Sequence, residues 1–317
     1  MSVDALPHDS FPALEELTLE LYARTMEFST QAFSGSRMLR RLSFITHSEA
    51  LSDIGRVLVD FPFAQITDAF ICSSSCMIFD FVKKLESLRT ATFIAQEFRG
   101  GTLAFAEPVD LPIETLELQG RHDEFEPFLR SFSLPRLREF RCNLTHPSFD
   151  DGFFDADDAH APTLQHFIAR STSIARLIME NMDEWLLYIF EDSHTFESIE
   201  EFKICVDGEG LSLWPHFMKM LTYHPTSSVL PLFPRLRGVE FDIRSSRQQD
   251  TEVERIDDSL AVMILSRYNA VQHEEMWLLE RCHYCWKEYA GTSTAREHFS
   301  VQLQSCFDDG LVMEGFA

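Results

Sequence analysis

Hydrophobic positions recur along this chain as apolar-x-x-apolar-x-apolar, with polar residues between them. The triplets are Leu14-Leu17-Leu19, Leu39-Leu42-Phe44, Ile66-Ala69-Ile71, Leu88-Ala91-Phe93, Ile113-Leu116-Leu118, Leu137-Phe140-Cys142, Ile174-Leu177-Met179, Ile199-Phe202-Ile204 and Leu236-Val239-Phe241. Their first positions lie 25, 27, 22, 25, 24, 37, 25 and 37 residues apart. Within each triplet the last two apolar residues alternate with polar ones, as Leu17 and Leu19 do with Glu16, Thr18 and Glu20. That period of two predicts a short, half-buried strand. Strands of this kind, laid side by side, form a parallel layer.

Between the strands the spacing turns helical. Leu51, Ile54 and Leu58 after Ser48 share one face, as do Met77, Ile78, Phe81 and Val82. Phe125, Phe128, Leu129 and Phe132 form a third such set. Trp185, Leu186, Ile189 and Phe190 follow a capping Asp183. The approach to several strands carries proline: Phe11-Pro12, Phe61-Pro62, Leu111-Pro112, Leu134-Pro135 and Phe233-Pro234. Proline pushes the preceding residue toward extended backbone and so supports the strand register. The two 37-residue steps read as enlarged loops, one holding Asp150 to Asp158 and a helix-like Leu164-Phe167-Ile168, the other spanning Gly208 to Pro231. The connector from Glu97 to Pro108 is weakly helical because of Gly100-Gly101.

A repeat in the twenties with this pattern predicts an α/β fold, an irregular leucine-rich-repeat solenoid with a parallel strand layer and outer helices. Its boundaries are 1–245, about nine units. Residues 244–254 read as a polar loop, a helix starts at Asp258 or Ser259, and a longer one carries Val271, Leu278, Leu279, Cys282, Trp286 and Tyr289. Residues 246–317 thus read as a C-terminal helical cap covering the open end of the stack. Phenylalanine, at 29 residues, suits the interior of such a stack.

Charge narrows the partners. With 27 basic against 51 acidic residues, a net of −24, the surface repels phosphate backbones and anionic membrane. No apolar run reaches the roughly 18 residues needed to span a bilayer. The segment MSVDALPHDS lacks the basic and apolar regions of a signal peptide. Seven cysteines, an odd number, fit a reducing compartment, so cytoplasm or nucleus is expected. Asn143-Leu144-Thr145 is then a chance glycosylation match.

Candidate chemistry is sparse. No phosphate-binding glycine loop, nucleophile elbow or metalloprotease helix is present, and no catalytic residue or cofactor is assigned. His166 and His216 sit in helical apolar patterns and read as core or edge residues. The acidic loop Asp150 to Asp158 lacks the ligand order of an EF-hand. Cys282, Cys285, His298 and Cys306 offer an alternative zinc set, and with it a regulatory function, although the Cys-x-x-Cys lies in a helical pattern and the His-to-Cys spacing exceeds that of finger sites. The expected binding surface is the concave face: Glu16, Arg41, Phe70, Ile94, Glu117, Arg141, Arg176, Ile178 and Glu201. There Phe70, Ile94 and Ile178 serve as apolar anchors among charges. The acidic surface favours a basic protein partner.

Phe11-Pro12-Ala13-Leu14-Glu15-Glu16-Leu17-Thr18-Leu19, Leu134-Pro135-Arg136-Leu137-Arg138-Glu139-Phe140 after Ser131-Phe132-Ser133, Phe167-Ile168-Ala169-Arg170-Ser171, and Asp257-Asp258-Ser259-Leu260 with Ser266-Arg267-Tyr268 resemble fungal F-box/leucine-rich-repeat proteins. The resemblance covers roughly residues 10 to 270. It implies a non-enzymatic scaffold, the substrate-recognition part of a cullin-RING ubiquitin ligase subunit. In that family an N-terminal F-box of about forty residues docks on the ligase adaptor. Here the first repeat starts near residue 11, so an adaptor contact is expected only if an F-box lies upstream in a longer product. The asparagine or cysteine usual three residues after each triplet is replaced by Tyr22, His47, Ser74 and Arg121. A stand-alone structural solenoid is the remaining alternative.

Overall fold

The computed structural model describes residues 11–22, 33–47, 61–96, 108–145, 160–180, 190, 196–207, 214–224, 230–244, 250–269, 278–287, 293–308 and 310–314. The helices expected after Ser48 and Asp183, the connector from Glu97 and the acidic loop at Asp150 lie outside these residues, apart from Phe190 and Pro108. The chain divides into two compact units, Met1–Phe154 and Asp155–Ala317. Both are α/β, with parallel strands backed by helices.

In the first unit the strands β1 (Glu16–Leu21), β2 (Arg41–Thr46), β3 (Asp68–Ser73), β4 (Thr90–Ala95), β6 (Thr115–Arg121) and β8 (Glu139–Thr145) pair in that order, all parallel. A small separate ladder joins β5 (Val109–Asp110) to β7 (Phe132–Ser133). Helices α1 (Ser75–Val82) and α2 (His122–Ser131) follow β3 and β6. The second unit holds β9 (Arg176–Glu180), β10 (Glu201–Asp207), β11 (Gly238–Arg244), β12 (Arg281–Lys287) and β13 (Val312–Glu314), again parallel and in order. Its helices are α3 (His160–Arg170), α4 (Trp214–Leu221), α5 (Asp250–Tyr268) and α6 (Ser293–Asp308).

The ladder register aligns the triplets position by position. Leu17 faces Leu42, Leu42 faces Ala69, Ala69 faces Ala91, Ala91 faces Leu116 and Leu116 faces Phe140. In the second unit Leu177, Phe202 and Val239 continue the same way. The first residue of each triplet from Leu39 to Leu236 is buried, whereas Leu14 and Leu17 at the outermost strand are only half-buried. Among the described residues no strand pairs with the outer side of β1, so its apolar residues are covered less than those of inner strands.

Two backbone motifs enforce that register. The amide of the first apolar residue donates to the carbonyl three residues earlier, as in Leu39 to Ser36 and Leu137 to Leu134, closing a turn before the strand. The next residue's carbonyl then accepts from two successive amides of the following repeat. Glu15, Arg40, Thr67, Arg89 and Glu114 all do so, at 2.7 to 3.2 Å, as do Ala175, Glu200 and Arg237. Both lone pairs of one carbonyl are thus used at the same point of these eight coils. Pro12, Pro135 and Pro234 take the second position of the turn, where a fixed φ near −65° is favourable. Pro62 and Pro112 fall at other phases, four and one residues before their triplets, so proline marks the register in three repeats rather than five.

Phenylalanine fills the space between strands and helices. Phe44 of β2 packs edge-on against Phe81 of α1 at 4.6 Å, and Phe93 of β4 against Phe128 of α2 at 5.7 Å. In the second unit Phe190, Phe196, Phe202, Phe217 and Phe233 form one buried cluster, with Phe202 and Phe233 at 4.9 Å. Such tilted and edge-on pairs add to the burial of the rings.

Three sequence expectations are corrected. Residues 214–221, assigned to a loop, are helix α4, with Trp214, Phe217, Met218 and Leu221 on its buried side. Helix α5 begins at Asp250, inside the segment read as a polar loop. The cap at 246–317 is not helical throughout: Arg281–Lys287 is a strand, and Leu279-Cys282-Tyr284 is a tenth triplet. Cys282 faces Val239 and Tyr284 faces Phe241 in the ladder. The 43-residue step from Leu236 to Leu279 and the cysteine in the middle of the pattern hid this repeat.

Candidate interaction surface

Strand parity fixes what each side chain does. In every strand the triplet residues turn toward the helices, and the residues between them form rows across the opposite face. In the first unit the initial row is Glu16, Arg41, Asp68, Thr90, Thr115 and Glu139. The second is Thr18, Ser43, Phe70, Thr92, Glu117 and Arg141, and the third is Glu20, Ile45, Cys72, Ile94 and Gln119, with Asn143 beyond.

The third row carries an apolar run at its centre. Ile45, Cys72 and Ile94 are direct ladder neighbours on β2, β3 and β4, and Phe70 stands two residues before Cys72 on the same face. All four are half-buried. Polar groups bound the run on each side. Toward β1, Glu20 accepts from the Tyr22 hydroxyl and lies 2.8 Å from His47 Nε2, while the Tyr22 and His47 rings stack at 4.7 Å. These bonds hold the Glu20 carboxyl below its ordinary value, the Tyr22 bond being the larger cause and the His47 bond the next. Toward β8, Thr92 donates to Glu117 at 3.5 Å and Arg141 pairs with Glu117 at 3.9 Å. Arg41 pairs with Glu16 at 3.4 Å in the first row. These exposed pairs contribute roughly 0–1 kcal/mol each and set charge pattern more than stability.

The predicted residues Glu16, Arg41, Phe70, Ile94, Glu117 and Arg141 therefore share one face of the first unit. Arg176 and Glu201 lie on the corresponding face of the second, 3.4 Å apart. Ile178 has the outward parity but is only 2% exposed, so it does not serve as an exposed anchor. Ile45 and Cys72 were missed, although carrying the strand alternation one step past each triplet finds both.

The second unit has a shallow groove of about 360 Å³ over β9 to β13. Arg176, Lys203, Arg281 and His283 line it together with Glu201 and Glu240, and Gly238 and Val239 lie in its floor. Glu201 accepts from Arg281 at 2.7 Å as well as pairing with Arg176. Arg281 reaches it from two strands away, passing over Gly238 of the intervening strand. A Cβ there would sit 3.5 Å from Arg281 Nη2 and 3.7 Å from the Glu201 side chain. Lys203 and Glu240 pair at 2.5 Å behind them. Arg281 and His283 escaped sequence reading because their segment was assigned to a helix.

That reassignment also changes the zinc reading. On a strand, residues three apart point to opposite faces. Cys282 faces the core, fully buried, and burial pushes its thiol upward from the ordinary value. Cys285 lies on the other face, opposite Asp242. One ion cannot take both thiols as a chelating pair. Cys306 is buried on α6, and the side chain of His298 lies outside the described residues. Among the described residues no group of three His, Cys, Asp or Glu side chains converges to hold a metal. Nor is any described helix long and apolar enough to cross a membrane.

No protein-family model matches the chain, and no curated protein matches it significantly.

Proposed function

We propose that this chain is a non-enzymatic protein-interaction scaffold that holds its partner on the strand face of the first unit. The observation that carries this reading is the apolar run Ile45, Phe70, Cys72 and Ile94, half-exposed and framed by Glu20, His47, Glu117 and Arg141. An apolar centre within a polar rim is the anatomy of a protein contact. Long or aromatic side chains at its middle supply most of the binding energy when covered. The net charge of −24 favours a basic partner and steers its approach.

Within this reading, the repeats are leucine-rich repeats, and the resemblance to fungal F-box/leucine-rich-repeat proteins supports a role in selecting proteins for ubiquitination. A soluble, cytoplasmic or nuclear location goes with it. Affinity purification with the wild-type chain and with a Phe70→Asp, Ile94→Asp variant tests the scaffold. The expected result is a protein recovered with the wild type and depleted at least tenfold with the variant, while the circular dichroism spectrum and melting temperature stay within a few degrees. Recovery of the same proteins with both chains would sink the assignment of this face. Recovery of a cullin and its adaptor with the full native transcript's product tests the ligase link separately.

A further inference from the structure

We infer that the strand face of the first unit takes an extended partner segment in which a lysine or arginine stands two residues from an apolar side chain, the cation on Asp68 and the apolar group on Phe70. This rests on the scaffold reading and names the chemistry of its partner. Asp68, Phe70 and Cys72 follow one another on the same face of β3, all half-buried. Three other carboxylates of the face have cationic or histidine partners. Glu16 pairs with Arg41 at 3.4 Å, Glu20 with His47 at 2.8 Å and Glu117 with Arg141 at 3.9 Å. Glu139 lies three strands away on β8. Asp68 differs from them. Among the described residues its carboxylate accepts the Thr67 hydroxyl at 2.6 Å and pairs with no cation.

The cations around Asp68 are directed elsewhere. Arg41, its ladder neighbour on β2, pairs with Glu16 on the other side. Arg89 pairs with Glu114 at 3.3 Å, and Arg40 donates to the carbonyls of Arg37 and Leu39 at 3.1 Å. The neighbour on β4, Thr90, is neutral. Glu16, Arg41 and Asp68 thus form a row with two carboxylates to one guanidinium, and a cation beside Asp68 completes it. Phe70 is the apolar counterpart. Phe44 and Phe93, turned inward on the adjoining strands, pack against helix rings, whereas among the described residues no ring covers Phe70. Side chains two residues apart on a strand stand about 7 Å apart on one face. An extended segment has the same period. A base-x-apolar-x-apolar sequence therefore reaches Asp68, Phe70 and Cys72 together, the last between Ile45 and Ile94. The apolar contacts supply most of the affinity, and the ion pair they cover fixes the register.

The test is selection of random dodecapeptides displayed on phage against the full chain, the Asp68→Lys chain and the Phe70→Asp, Ile94→Asp chain. The wild type is expected to enrich lysine or arginine two residues from leucine, isoleucine or phenylalanine. Asp68→Lys should turn that basic position to aspartate or glutamate, a reversal that a merely structural role would not produce. The leading peptide, made synthetically, should bind Asp68→Asn about fivefold more weakly and with less dependence on salt. An apolar motif without a basic position, a base three or four residues from the apolar group, or an unchanged motif on Asp68→Lys would overturn the inference and leave the scaffold reading standing. Equal capture by the Phe70→Asp, Ile94→Asp chain would sink the scaffold face itself, and no enriched motif on the wild type would count against both.

Discussion

Gly120 shows how one residue sets the packing of a repeat. It occupies the third inward position of its strand, where the preceding repeats place Thr46, Ser73 and Ala95, and its φ is +146°. A Cβ there would meet the Ala95 carbonyl oxygen at 3.0 Å and the Ala95 Cβ at 3.1 Å. Backbone strain and contact act together, so Gly120→Ala is expected to cost roughly 1–3 kcal/mol, read as a lower urea midpoint. Arg267 poses the opposite problem. It is fully buried, and it donates from Nε to Leu221 O at 2.6 Å and from Nη1 to Phe233 O at 2.8 Å. Burial pulls its guanidinium down to about 9, so it remains charged at neutral pH. The folded value lies below the unfolded one, so the buried charge costs stability at neutral pH and the cost eases as pH rises through about 9. The stability of the wild type relative to Arg267→Met should therefore improve between pH 8 and pH 10 in chemical denaturation. A flat difference across that window would contradict the lowered value and show that the guanidinium stays charged throughout.

At the level of elements, the core triplets were legible because each is a local period-two pattern, and neighbours need only repeat it. Every expected strand from Leu17 to Phe241 is found, and each ladder matches triplet to triplet. What was illegible depended on distant partners. Strand β12 contains Cys282, His283, Tyr284 and Cys285, whose spacing also fits a helix face, and only pairing with β11 and β13 decides the matter. Helix α4 looked like an insertion because Pro215 and nearby polar residues weakened its pattern. Its C-terminal end is completed from α5, forty residues on: Ser266 Oγ accepts the Tyr223 amide at 3.0 Å and Arg267 reaches Leu221 O. Such capping by a remote helix satisfies groups that no local residue could. The proposed binding face was half legible. Strand parity located Phe70 and Ile94, but the burial of Ile178 and the empty position at Gly238 depend on what neighbouring strands carry.

For the whole molecule, the two units share one construction but carry different side chains on it, an apolar run with a polar rim in the first and a groove lined by arginine, lysine and glutamate in the second. On the proposed scaffold reading, the first unit holds its partner by shape and apolar contact. The repeats place side chains in rows and hold them there. The most direct test of that role is site-specific photo-crosslinking in cells, with benzoylphenylalanine placed at Phe70, at Ile94 and, as a control, at the exposed Arg130 of α2. The scaffold account predicts one common protein adduct at positions 70 and 94 and none at 130. Adducts of equal yield at all three positions, or none above background at 70 and 94, would contradict it.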